Sequence, residues 1–482
     1  MVQRQTIFNN TTVYTASLIF QKVLAFFYFI ALARSFGVED VGRYSFAISF
    51  TLLFSMLTDF GVSSYIIRET SKSEDALQKL FSTAFPTKLT LTVLTLAIIA
   101  LAVFLGGYPS DTVVLIILAA IVMCADMFAL LFYGILRGRQ NLRYESIAMA
   151  IYQLGVVVVG GWLMYQGTDL LALMAVLMAA SIANVGYAGY MVLRRLGYVC
   201  SWSSYRLSDA LRLLRIAFPF ALAGIFVKIY SYLDTVLLGI MKDTVAVGLY
   251  SVPYKLTFAL QFLPMAFGAA MYPAMSRAYA HAPDRLAKIF KQNIFYLWIF
   301  ALPTAIGIYL LAPECITLLY GATYAASVPA LRILILSLPF VFLSFPFGAL
   351  LNATDRQVTN TRNFGIVMVV NILLNLALIP RFSFIGASGA GLITYICLAA
   401  LGYWETRTTL SQSDRFYKDL FLKSSIATLG MACGILLIRP WVWFPVTMLV
   451  GAPIFISFFA LLKGFSAEDM RQLRRFLHWR AS

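Results

Sequence analysis

The chain has 482 residues, of which 61% are hydrophobic and only 12% are charged, and its mean hydropathy is +0.83. Soluble globular proteins carry about 25% charged residues, so the composition excludes a soluble protein and predicts an integral membrane protein. A net charge of +16 would suggest a nucleic-acid partner in a soluble chain. Here the charge follows membrane topology, and no nucleic-acid partner is predicted.

Fourteen apolar stretches of about 20 residues are candidate transmembrane α-helices. In chain order they lie near 12–33, 44–67, 81–105, 113–136, 146–165, 170–193, 216–240, 246–275, 292–311, 328–350, 363–380, 385–404, 420–438 and 442–463. The longest connection, 194–215, is too short for a soluble domain. The predicted fold class is therefore an all-α integral membrane protein with about fourteen spans.

The basic residues are distributed very unevenly between the two sides of this arrangement. If the N-terminus is cytoplasmic, the inner loops and tails hold 27 of the 37 Lys and Arg, the outer loops hold five, and five lie within spans. Inner loops of membrane proteins are enriched in Lys and Arg. The bias predicts a multi-pass protein of the cell (plasma or inner) membrane with both termini in the cytoplasm.

The sequence also repeats at an offset of 206 residues. The run from Ile19 to Lys22 matches the run from Ile225 to Lys228, and Val41–Ser45 matches Val247–Ser251. Two similar halves, each with a lysine inside a predicted membrane helix, are typical of alternating-access transporters with parallel repeats.

The offset predicts how the chain is divided. An N-terminal six-helix lobe covers 1–205, a C-terminal six-helix lobe covers 206–415, and helices 13 and 14 with a basic cytoplasmic tail cover 416–482. Each repeat has an even number of spans, so both lobes have the same orientation. We expect them to be related by a pseudo-twofold axis along the membrane normal.

Six charged residues fall well inside predicted spans. A charge at the centre of a bilayer costs roughly 2.5–3.5 kcal/mol on insertion scales, so these side chains should face a bundle interior or a wet cavity, or pair with one another. Two further charged residues, Lys88 and Arg332, lie near span ends and are predicted to snorkel towards the headgroups. The six are Lys22, Asp59, Asp126, Lys228, Asp234 and Lys255.

Span seven contains the densest set of polar residues. Lys228 and Tyr232 share one helical face, whereas Asp234 is six residues from Lys228 and lies well round the helix, so these two charges should not pair. Asn371 and Asn375 occupy one face of span eleven, from which they could bind a polar cargo, although hydrogen bonding between helices is favoured.

If Lys22, Lys228 and Lys255 line one cavity, their positive charges would suit an anionic ligand. The alternative is that these lysines hold helices together in a packed bundle. For Asp59, Asp126 and Asp234, two interpretations remain open. They could couple transport to a proton or sodium gradient, or they could form structural pairs with other polar groups.

The motifs of enzymes and metal proteins are missing from the sequence. There is no nucleotide-binding G-x-x-x-x-G-K-[ST] motif, and no Ser/His/Asp or paired-carboxylate arrangement is credible. The two histidines, His281 and His478, lie in different predicted cytoplasmic segments, and the five cysteines have no paired spacing. We predict a protein that is not an enzyme, with no metal site and no cofactor.

Several segments resemble one known family. The chain is similar to the polysaccharide-export branch (O-antigen and teichoic-acid flippases) of the multidrug/oligosaccharidyl-lipid/polysaccharide exporter superfamily. The segments that carry the resemblance are Phe36–Tyr44, Leu136–Gln140, Tyr232–Gly239 with Val247–Tyr250, Tyr272–Ser276, and Asn371–Asn375 through Leu378–Pro380 to Gly386–Ala390.

The resemblance implies a function and a site. Members of this branch flip polyprenyl-diphosphate oligosaccharides from the inner to the outer leaflet through a cavity between two lobes. Cationic residues in that cavity would meet the diphosphate or acidic sugars, and by position these are Lys22, Lys228 and Lys255. The partners implied are the lipid-linked cargo, membrane lipids, and a glycan polymerase and glycosyltransferases.

Three other functions are alternatives, and the sequence argues against two of them, the antiporter and the scaffold. A multidrug or cation antiporter of the same superfamily would prefer carboxylates to lysines in its cavity. A flippase for the peptidoglycan precursor would also favour a cationic cavity. A scaffold for glycan-assembly enzymes would gain little from charges inside the membrane.

Overall fold

A computed structural model of the chain describes residues 2–70, 75–200, 205–410, 414–439 and 441–465. The basic tail predicted at the C-terminus lies largely outside these residues. The α-helices of the described part are α1 (Val2–Ser35), α2 (Val38–Asp59), α3 (Val62–Thr70), α4 (Asp75–Gly106), α5 (Ser110–Gly138), α6 (Arg143–Tyr165), α7 (Leu170–Tyr190), α8 (Leu207–Met241), α9 (Thr244–Ala259), α10 (Phe262–His281), α11 (Pro283–Leu310), α12 (Ala312–Tyr320), α13 (Val328–Ile335), α14 (Leu338–Ala353), α15 (Gln357–Leu410), α16 (Asp414–Ile438) and α17 (Phe444–Leu461).

The described residues contain 13 helical segments that are long and apolar enough to cross a membrane. One of them belongs to α15, which has 54 residues and would be about 80 Å long if it were straight. A bilayer core is roughly 30 Å thick, and α15 breaks at Ser383 (φ 51°, ψ −133°). The predicted spans 363–380 and 385–404 lie on either side of this break. The all-α membrane architecture with about fourteen spans is therefore confirmed.

The second predicted span, 44–67, is interrupted. Helix α2 ends at Asp59, Phe60 and Gly61 adopt positive φ values of 41° and 76°, and α3 begins at Val62. A Cβ at residue 61 would lie 2.6 Å from the carbonyl oxygen of Ala217 on α8. The chain thus turns where it lies too close to α8 for a side chain, and Asp59 is left at the end of its helix.

The chain forms two compact units. The first comprises Met1–Phe262 and Phe364–Ala390. One aromatic cluster in it brings Phe81 of α4 close to Phe132 of α5 and to Tyr198, with ring centroids 6.4 and 5.9 Å apart. In the same unit α2 packs against both α8 and α9.

The second unit comprises Leu263–Asn363 and Gly391–Ser482. Trp298 of α11 packs on Phe421 of α16 with a centroid distance of 4.4 Å, and its indole N–H donates to Ser424 Oγ at 2.9 Å. The predicted lobes 1–205 and 206–415 stay a prediction, because helices that touch need not belong to the same sequence repeat.

Candidate functional site

The two lysines that match in the sequence repeat each contact the other half of the chain. Lys22 of α1 places its Nζ 5.9 Å from the ring centroid of Phe258 on α9. Lys228 of α8 donates from Nζ to Ser55 Oγ on α2 at 3.0 Å. In each case a lysine on the first helix of one repeat reaches the second helix of the other repeat. A pseudo-twofold arrangement of the halves would give this reciprocal pattern.

A third lysine lies close to Lys22. Lys255 of α9 places its Nζ 5.5 Å from the ring centroid of Phe29 on α1, so Lys22 and Lys255 each lie over a ring of the facing helix. The two ammonium groups are within electrostatic range of each other, and both residues are exposed. Within the part of the chain that the structure describes, neither lysine forms an ion pair or a hydrogen bond.

Lys228 has a different environment from these two lysines. Its Nζ lies 5.6 Å from the ring centroid of Tyr232, and the carboxylates of Asp59 and Asp126 are within electrostatic range. Ser181 of α7, whose hydroxyl donates to Tyr152 Oη at 3.4 Å, lies near Asp126 of α5. Two carboxylates thus partly balance the charge of Lys228, whereas Lys22 and Lys255 have no such compensation among the described residues.

The environment of the Lys88 side chain differs from the one predicted from the sequence. Its side chain is completely buried and forms an ion pair with Asp59, with Nζ 2.5 Å from Oδ1. Ser63 Oγ also donates to Asp59 Oδ1 and accepts from Lys88 Nζ at 3.1 Å. The prediction that Lys88 snorkels is wrong, because a partly buried carboxylate at the end of α2 compensates its charge inside the protein.

Asp234 is held by neutral donors rather than by a lysine. It accepts from Tyr250 Oη of α9 at 2.7 Å and from Asn375 Nδ2 of α15 at 3.4 Å. Asn375 also donates to Asn371 Oδ1 at 3.1 Å. Asp234, Asn371 and Asn375 are all buried, with exposures of 3%, 1% and 0%. In this conformation both asparagines bind within the protein, and Asp234 does not pair with Lys228, as the helical spacing predicted.

Sequence reasoning missed the partners of these charges. Tyr250 belongs to the repeated segment Val247–Ser251, so the repeat could have drawn attention to it. Ser55 and Lys88 had no comparable signal, since their roles depend on contacts 173 and 29 residues away in sequence. Among the described residues, no group of three or more His, Cys, Asp or Glu could hold a metal ion.

Comparison with known families identifies the chain. The sequence profile described as "Polysaccharide biosynthesis protein" matches residues 7–279, more than half of the 482. The chain belongs to this family. A second profile, described as "MatE", matches residues 219–377. The superfamily predicted from the motifs is thereby confirmed, and these families comprise transporters rather than enzymes.

Two curated relatives come from Haloferax volcanii. The "Probable flippase AglR" is 28% identical over 278 residues, which cover 54% of this chain and 54% of that protein. This polysaccharide biosynthesis family member thus spans about half of the length of AglR. The "Probable low-salt glycan biosynthesis flippase Agl15" is 21% identical over 381 residues, 78% of each chain.

Solved structures share the fold. The "Lipid II flippase MurJ, inward closed conformation" superposes with a TM-score of 0.76 at 17% identity, covering 93% of this chain and 98% of that one. An inward-facing multidrug resistance MATE family transporter gives a TM-score of 0.66 at 16% identity, with coverage of 83% and 96%. At these identities the likeness concerns the fold alone.

Proposed function

We propose that this family member flips a polyprenyl-diphosphate-linked oligosaccharide from the inner to the outer leaflet of the cell membrane by alternating access. The observation that carries the proposal is the position of Lys22 and Lys255 between α1 and α9, exposed and without a carboxylate partner among the described residues. Two like charges inside membrane helices are costly, and a dianionic headgroup would relieve that cost.

The chemistry of the lysines fits a cargo that must be released after binding. An ammonium is a compact charge with three rotatable donors, whereas arginine would hold a phosphate with a fixed bidentate fork. Lys228 would contribute a third cation whose charge Asp59 and Asp126 partly balance. The name of AglR supports flipping, and the name of Agl15 supports a glycan cargo. A glycan polymerase and glycosyltransferases are the partners we propose.

We further propose that a proton or sodium gradient drives the cycle through one of the three carboxylates that lie inside membrane helices. Asp234 suits this role better than Asp59, because neutral hydroxyl and amide groups surround it and its charge is not cancelled by a lysine. Loading and unloading of a cation at Asp234 would therefore change the net charge of the unit that contains the three lysines.

The test is flipping in proteoliposomes that contain a fluorescent polyprenyl-diphosphate oligosaccharide, with an impermeant quencher reporting on the outer leaflet. Lys22→Ala and Lys255→Ala should each reduce flipping about tenfold to hundredfold, since a hydrogen bond to a charged group contributes roughly 1.5–3 kcal/mol. Lys22→Arg should retain partial activity. Lys22→Ala combined with Lys228→Ala should lose less than the sum of the single losses, because both contact one ligand.

The matched control is Lys418→Ala, an exposed lysine on α16, which should flip cargo like the wild type. If Lys22→Ala and Lys228→Ala fold normally and flip cargo at the wild-type rate, the lysines only join helices. Transport of an organic cation in place of the lipid would favour the multidrug antiporter. A strict requirement for the peptidoglycan precursor would favour that class of flippase.

A further inference from the structure

Two glycines allow α2 and α9 to touch along their backbones. A Cβ at residue 42 would overlap the carbonyl oxygen of Thr244, and a Cβ at residue 248 would overlap the carbonyl oxygen of Val38. Both glycines are buried, and each is the fifth residue of its helix. Any larger residue at either position would force the two helices apart.

The contact is reciprocal in the sequence repeat. Gly42 and Gly248 are separated by 206 residues, and so are Val38 and Thr244. Gly42 faces Thr244, and Gly248 faces Val38, the repeat counterpart of Thr244. This is the pattern of an isologous contact across a twofold axis. The two helices therefore approach each other at equivalent positions of the two repeats.

Separating these helix ends would break no charged interaction that the structure describes. Arg43 pairs with Glu39 and Asp40 of its own helix, at 2.6 and 3.7 Å. On α9, Asp243 caps its own helix by accepting from Ala246 N at 2.7 Å. At these ends each helix pairs its charged groups internally, so the α2–α9 contact there can open without leaving a buried charge unpaired.

We propose that Gly42 and Gly248 form a reversible gate that closes one mouth of the transport pathway. These residues follow the connections 36–37 and 242–243, which the charge bias places on the outer side. The gate rests on the proposed flipping function, because alternating access requires the outer mouth to close while cargo enters from the cytoplasmic side. Further along α2, the hydrogen bond from Lys228 to Ser55 also joins the two repeats.

The proposal predicts that Gly42→Ala and Gly248→Ala act alike. Each added methyl group would prevent the closest approach of α2 and α9, shift the protein towards the form open at this mouth, and lower flipping strongly. The matched control is Gly37→Ala, in the connection just before α2, where a Cβ meets nothing within 4 Å and φ is −68°. This control should flip cargo like the wild type.

The gate can be measured without cargo. Spin labels are attached at Glu39→Cys and Val245→Cys, which are exposed counterparts in the two repeats, in a chain whose five native cysteines are replaced. The wild type and Gly37→Ala should show a short-distance population that Gly42→Ala and Gly248→Ala lose. If all four proteins give the same distances, the glycines do not form a gate.

A second experiment keeps both glycines and decides the matter if the alanine variants do not fold. Cross-linking Val38→Cys to Thr244→Cys with a short cleavable reagent should stop flipping, and reduction should restore it. Full flipping by the cross-linked protein would overturn the gate. Absence of flipping by the unmodified wild type would instead overturn the proposed function, while the spin-label distances would still test the gate.

Discussion

Identical side chains have opposite surroundings in this protein. Lys88 is completely buried and neutralised by Asp59, whereas Lys22 is exposed and forms no ion pair with any residue that the structure describes. A buried lysine tolerates low dielectric only when an opposite charge and further hydrogen bonds compensate its lost hydration. Lys88 therefore stabilises the fold, and Lys22 is left available for a ligand.

This contrast predicts different costs for the same substitution. Lys88→Ala should destabilise the protein by about 3–5 kcal/mol, because it leaves Asp59 as a partly buried charge without its ion-pair partner. Asp59→Asn should also be destabilising, because it leaves Lys88 charged and buried. Thermal unfolding in detergent measures both effects. Lys22→Ala is the control and should unfold near the wild-type temperature; equal melting temperatures for Lys22→Ala and Lys88→Ala would contradict the assignment.

At the scale of helices, Asp234 joins three elements. It lies on α8 and accepts hydrogen bonds from Tyr250 of α9 and Asn375 of α15, all of them buried. Because buried polar groups are costly when left unpaired, the three helices are held in register around this carboxylate. A change in the charge of Asp234 would therefore alter the hydrogen bonds that join all three helices.

Asp234→Asn should distinguish a structural role of this carboxylate from a role in coupling transport to an ion gradient. An amide oxygen can still accept from Tyr250, so we expect the variant to fold, and its flipping should no longer respond to a proton or sodium gradient. Tyr250→Phe should instead lower the free energy of unfolding by about 1–3 kcal/mol through the lost donor. Flipping is measured in vesicles with and without each gradient. A wild-type gradient response from Asp234→Asn would remove this carboxylate from the coupling mechanism.

At the scale of the whole molecule, topology decides which mouth the glycine gate closes. The 27-to-5 distribution of Lys and Arg predicts cytoplasmic termini. A cysteine at Gln140 should then be protected from an impermeant reagent in whole cells, and one at Gly107 should be labelled. Both positions are exposed in the structure, so burial would not explain a difference. The opposite labelling pattern would invert the topology and place the gate on the cytoplasmic side.

Some features of the molecule could be predicted from the sequence alone. Hydropathy is a property of each segment, so it gave the membrane class and about fourteen spans before any contact was known. The repeat at an offset of 206 residues matched Lys22 with Lys228. The helical spacing predicted that Asp234 and Lys228 do not form an ion pair. These predictions held because they depend on composition, on local geometry or on comparison of the chain with itself.

Only the tertiary structure decided which groups meet. The pairing of Lys88 with Asp59, the reach of Lys228 to Ser55 and the contact of Gly42 with Thr244 join segments that are distant in sequence. The same is true of the turn at Gly61, whose position follows the close approach of α8. The sequence shows that a buried charge requires a compensating group and that a glycine permits a close contact. The packing of the helices determines which residue supplies that group or contact, and no single segment specifies the packing.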